Sequence, residues 1–191
     1  MRYKFVCAVL VGIAFSIAQA SEPILYKGFQ WETTPSQLMQ KYPNFFCKKD
    51  GSREVLCLSN SETYFNKRAN NVFVVFIDSK LKKIEITLNF SKNNYAAIAP
   101  EVQAKIFFKE LRDELTKKYG KEDDPPEIIK SMKLANLSFV LWSQKEASIR
   151  MSVVPNEKTN NGDFMVEVEF AKSGYHKLQE DISRNKKSKD L

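Results

Sequence analysis

Residues 82–120 read KKIEITLNFSKNNYAAIAPEVQAKIFFKELRDELTKKYG, and their two periods decide the fold. Ile84, Ile86, Leu88 and Phe90 alternate with Lys83, Glu85, Thr87 and Asn89. That period of two predicts a strand with one apolar and one wet face. After Ser91-Lys92-Asn93-Asn94 the period changes. From Pro100 onward Ala104, Phe107, Phe108, Leu111, Leu115 and Tyr119 recur at steps of three and four, a helical stripe wide enough to cover a sheet face. Pro100 suits a first helical turn and Gly120 the residue past its end. The rest of the chain is expected to supply more sheet beneath this helix.

Outward from that stretch, the N-terminus carries targeting information rather than fold. Arg2 and Lys4 precede the apolar run Phe5 to Ile17, and Ala18-Gln19-Ala20 is a small-x-small cleavage site. Together these predict a signal peptide over residues 1–20. The apolar run is short of the ~20 residues a membrane span needs. Cys7 lies inside the run, away from the cleavage point, so no lipid anchor is expected. The chain carries a net charge of +7, and loss of Arg2 and Lys4 lowers it by two. Acids and bases are interspersed, which serves solubility. The remaining length suits one domain over residues 21–172, with a charged, partly disordered tail over 173–191.

Cys47 and Cys57 remain in the mature chain. In an oxidising compartment an even pair reads as a disulfide, and Asp50-Gly51 between them is turn chemistry. The pair would staple a hairpin of Phe45–Lys49 with Glu54–Ser59. The C-x-x-C spacing of a redox site is absent.

In chain order, Ile24 to Trp31 reads as a first strand with Gly28 as a bulge. Thr34-Pro35-Ser36-Gln37 is a capping box with Pro at the first helical position, opening a short helix that stops near Pro43. Asn60 to Asn71 reads as a loop, with a strand around Thr63 to Phe65 as the alternative. Val72 to Ile77 is a nearly continuous apolar run, hence a central strand or one covered on both faces. Asp78-Ser79-Lys80 turns it into the residue 82 strand. Beyond the polar, Pro-containing stretch 121–126, Leu137–Trp142, Ser148–Val153 and Phe164–Phe170 predict a second meander. The tail allows a helix over Tyr175–Ile182, with disorder from Asn185 on. Residues 36–43 and 113–120 share Leu, Lys and Tyr at matching positions. The offset of 77 also brings the Val72 strand onto residues 148–154. Two helix-then-meander halves, 21–92 and 93–172, are therefore a candidate reading.

Catalytic chemistry finds little footing. His176 is the single histidine and lies in the tail with no sequence neighbour to orient it. Glu122-Asp123-Asp124 lacks the alternating spacing of a calcium loop. Glu167 and Glu169 share a strand face and could form a carboxylate pair of the kind glycoside chemistry uses, although alternating Glu is common on a wet face. No nucleophile elbow occurs, and with 6 Gly a backbone-built phosphate cradle is not expected. No cofactor or metal site is expected. The basic tail suggests anionic partners, but export argues against nucleic acid. Tyr64, Phe65, Tyr95 and Tyr175 fall in loops or ends, where aromatics anchor protein partners or serve as core satellites.

The leader, the segment Gly28-Phe29-Gln30-Trp31-x-Thr33-Thr34-Pro35 and the helix end Lys117-Lys118-Tyr119-Gly120 resemble a loose group of small exported bacterial proteins. Members often pair two early cysteines and place a Trp-containing strand after the turn, as Trp142 does here. The two halves also resemble the plan of β-lactamase-inhibitor proteins and outer-membrane-assembly lipoproteins. No functional motif carries over from either group. The expectation is an α+β protein, about six to eight antiparallel strands under one long and one short helix. Its expected role is a periplasmic or secreted non-enzymatic binder of a protein or envelope component. The alternatives are an inhibitor or immunity protein that plugs an enzyme or toxin, and a hydrolase with an unrecognised site. Tyr64, Phe65, Tyr95, Glu122, Asp123 and Asp124 are the candidate partner-binding residues.

Overall fold

A computed structural model describes residues 26–92, 98–123, 138–159 and 162–187. The chain is α+β, with helices α1 (Pro35–Lys41), α2 (Pro100–Tyr119) and α3 (Tyr175–Lys187). Its strands are β1 (Phe46–Asp50), β2 (Glu54–Ser59), β3 (Thr63–Tyr64), β4 (Lys67–Arg68), β5 (Asn71–Ile77), β6 (Lys80–Phe90), β7 (Ser138–Ser143), β8 (Ala147–Pro155) and β9 (Phe164–Lys172). Seven form one sheet in the order β1-β2-β5-β6-β9-β8-β7, and β3 and β4 pair separately. Every pairing is antiparallel. The order is symmetric about the β6–β9 contact: β5 and β8 flank it, β2 and β7 lie outside them, and β1 is left over at one edge. In their described parts, the halves expected at 21–92 and 93–172 each run helix then meander within this one sheet.

Register fixes which side chains meet. Cys47, Cys57, Val74, Ile84, Phe170, Ile149 and Trp142 are successive cross-strand partners, a single row crossing all seven strands. Apart from half-buried Cys47, every member of that inner row is buried. Helix α2 lies over it with Ala104, Phe107, Phe108, Leu111 and Leu115 buried, the stripe its sequence spelled out. Each fully buried aliphatic side chain contributes about 1.5–3 kcal/mol. The disulfide is present between Cys47 and Cys57. A bulge where Val75 faces Lys83 and Phe76 faces Leu81 leaves Lys82 as the extra residue. It lets Leu81 and Ile84, three apart, both turn inward. At α1, Gln37 N donates to Thr34 Oγ1 (3.3 Å) and Thr34 N donates to Gln37 Oε1 (2.9 Å), the reciprocal cap its sequence encodes.

Three expectations are corrected. Tyr26–Gly28 is a 3-10 turn rather than part of a strand: Lys27 has φ 53, and Phe29 N donates to Tyr26 O (3.1 Å). Tyr26, Phe29 and Trp31 are all buried, and this tight turn brings them to one core in a way that alternation on a strand would not. The loop expected over residues 60–71 holds a two-residue hairpin ladder: β3 stands where the alternative strand around Thr63 to Phe65 was expected, and it pairs with Lys67–Arg68, which was not expected. The tail is helical through Lys187, and Tyr175, Leu178 and Ile182 pack with Val75, Ile77, Ala171 and Leu56 on the sheet face opposite α2. A stripe of only three apolar residues is weak in isolation; the apolar outer positions of β2, β5 and β9 supply what it needs.

Candidate functional site: the outer face of the sheet

One row on the outer face is built differently from the rest. Phe46, Leu58, Phe73, Glu85, Glu169, Arg150 and Leu141 are successive cross-strand partners. Helix α3 occupies the neighbouring row, where Leu56 and Val75 are partners, and reaches this one at Glu169, through His176, but not at its apolar end. Phe46 is therefore 74 % exposed, Leu58 36 % and Phe73 37 %. Three large apolar side chains side by side on three strands form a contiguous exposed patch, and the largest such patch on a protein is often an interaction site. The run 72–77, expected to be central or covered on both faces, is central, between β2 and β6, but Phe73 is not covered, and that exposure the sequence reading missed.

Where the row crosses β6 it becomes charged. Lys83 Nζ lies 2.6 Å from Glu85 Oε2 and 3.1 Å from Glu169 Oε2. Arg150 Nη2 is 3.2 Å from Glu169 Oε2, and His176 Nε2 on α3 is 3.5 Å from Glu169 Oε1. Glu169 is thus a buried, paired carboxylate rather than the water-facing residue expected. His176, read as an isolated tail residue, is exposed but stands beside it. Glu167 faces Thr87 and Ser152 across the strands and has no hydrogen bond or ion pair among the described residues. Burial, then the charge of Glu85, raises its carboxyl above the ordinary range, with Arg150 opposing. Glu85, Glu167 and Glu169 together outnumber the permanent cations Lys83 and Arg150.

The sequence-predicted partner residues do not converge on this face. Tyr64 is half-buried and packs on the core, its ring 5.6 Å from that of Tyr26. Tyr26 donates to Thr63 O (3.1 Å) and to Glu62 Oε2 (3.4 Å), and Glu62, itself buried, also pairs with Lys27. Burial raises the phenols of Tyr26 and Tyr64, and pushes Tyr119 up to about 12. Phe65 sits at the hairpin tip with φ 49, beside Asn66 at φ 59, and its ring meets Phe107 at 5.9 Å. Exposed Val102 and Ile106 lie on one edge of α2 nearby in sequence to Phe107. Glu122 pairs with Arg112 at 2.7 Å, and Asp123 N donates to Leu141 O (2.8 Å). Tyr95 and Asp124 lie outside the described residues. A cleft of about 410 Å³ beside α1 is floored by Phe29, Leu38 and Tyr42, with Gln30, Gln37 and Gln40 among its walls.

No family model, characterised protein or solved structure matches this chain. Among the described residues there is no cluster of three potential metal-ligating side chains, and no helix is long and apolar enough to cross a membrane.

Proposed function

We propose that this is an exported, non-enzymatic binding protein that holds a protein partner against the outer face of its sheet. The observation that carries the reading is the open row Phe46–Leu58–Phe73. Burying such a patch supplies association free energy, and the charged residues that continue the row give orientation. Export rests on the leader and fits a disulfide, which persists in oxidising compartments. A photo-crosslinking residue at position 73 in intact cells should give a discrete adduct. One at Asp113, exposed on α2, should give none, and Phe46→Ser should abolish the first. Equal labelling at both positions, or none at either, contradicts the reading.

A second reading, an inhibitor or immunity protein that enters an enzyme's or toxin's cleft, draws on Phe65. A bulky residue at positive φ is strained, and strain of that kind gathers at binding loops. Phe65→Ala should then abolish inhibition of the target while leaving crosslinking at position 73 intact.

A further inference from the structure

The outer face also says what kind of partner it takes. Resting on the binding reading above, we infer that the occupant is an amphipathic helix whose apolar side chains cover Phe46, Leu58 and Phe73 and whose lysine or arginine reaches Glu167.

The helix follows from backbone chemistry. The peptide groups of a sheet are spent on neighbouring strands, so a chain laid on its face finds no backbone partners there and must satisfy its own. A helix does this, and helix-on-sheet packing already exists alongside, where α3 covers Leu56 and Val75. The edge of the sheet is the poorer landing place. Strand β1 carries Lys48 and Lys49, charges that blunt an edge against strand addition.

The cation follows from the count of charges. Lys83 is shared by Glu85 and Glu169, and Arg150 is engaged by Glu169, so neither is spare. His176 is also turned to Glu169. Glu167 is the carboxylate left over, half-buried between Thr87 and Ser152. A second copy of the chain laid face to face brings the same three carboxylates against its own Lys83 and Arg150, with exposed Lys48 on the edge strand β1 as a further cation. From Phe73 to Glu167 is two strands across and one pleat along, about 12 Å at ordinary sheet spacings. On a helix that is about eight residues, two turns, with both side chains on one face.

The test uses the full mature chain and three synthetic peptides of about 18 residues, long enough to hold a helix. They share a leucine stripe and differ two turns away, with Lys, Gln or Glu. Binding is followed by fluorescence anisotropy, and the contact surface by amide chemical shifts. The Lys peptide should bind about tenfold tighter than the Gln peptide, as a charge-assisted contact predicts. Glu167→Gln should erase that difference, whereas Glu110→Gln on α2 should not. Phe73→Ser and Leu58→Ser, both at exposed positions, should weaken all three peptides, with circular dichroism confirming the fold. If all three bind alike and still weaken in Phe73→Ser, the cation inference fails and the docking surface survives. Absence of binding, or binding indifferent to both serine variants, removes the two together. A dimer of the free protein that Phe46→Ser dissociates assigns the face to a second copy and overturns the inference.

Discussion

Lys83 Nζ stands 3.1 Å from Glu169 Oε2 while also holding Glu85, so one ammonium is shared by two carboxylates of the outer face of the sheet. Burial lowers the Lys83 amine, but Glu85 and Glu169 outweigh it and leave the amine above its ordinary range. Lys83→Met leaves the buried Glu169 with Arg150 and His176 alone. A loss of about 1–3 kcal/mol in urea unfolding at neutral pH is expected, mostly the penalty of the under-paired carboxylate. Because the folded amine sits higher than the unfolded one, its contribution is complete at neutral pH and fades only above the lysine range.

Glu167 titrates with the opposite consequence. Its folded carboxyl is raised, so the folded chain holds the proton longer, and ionisation costs stability as pH rises through that range. Glu167→Gln should therefore stabilise the free protein at pH 7, and the gain should vanish below the ordinary glutamate range. Denaturation midpoints at pH 7 and pH 3 check both halves; a variant less stable at pH 7 refutes the sign.

The bond between Cys47 and Cys57 spans a sequence separation of 10. Chain entropy then predicts that losing it costs about 2.5–3 kcal/mol. Replacing both cysteines by Ala should lower the unfolding midpoint accordingly, and reductant should have no further effect on that variant.

Ser79 has φ 61 and follows Asp78 at φ 52 in the β5–β6 hairpin turn. Both central positions of such a turn are left-handed, where a Cβ costs about 1–2 kcal/mol. Ser79→Gly should raise stability by about 0.5–1 kcal/mol after glycine's greater unfolded-state entropy is deducted, read as a shift in urea midpoint.

The buried phenols predict a staggered alkaline titration. Tyr119 ionises near 12, and Tyr26 and Tyr64 are also held above the ordinary tyrosine range. The unfolded chain releases these protons near 10, so stability falls as pH rises past that value. Absorbance at 295 nm should show fewer tyrosinates in the native protein than in urea at pH 11, with convergence on unfolding.

Much of this was legible beforehand. The Thr34–Gln37 cap, the α2 stripe and the alternation in β6 each depend on neighbours within a few residues, and each stands where its pattern placed it. The open row was partly legible too. If Cys47 and Cys57 face the core as a bonded pair, their neighbours Phe46 and Leu58 must face away from it, since strand side chains alternate. Tyr26–Gly28 was misread because a run of aromatics has no period that separates a strand from a tight turn.

Local spacing, then, determined α1, α2 and the main strands with their inward faces, because those follow from backbone periodicity and nearest neighbours. What lies over the other face was decided by tertiary structure alone. Tyr175 must cross to Val75 and Ala171, and His176 must come beside Glu169, before α3 covers one row and leaves Phe46, Leu58 and Phe73 bare. The contact of Tyr175 with Val75 joins residues a hundred positions apart, through a burial free energy that no local pattern records.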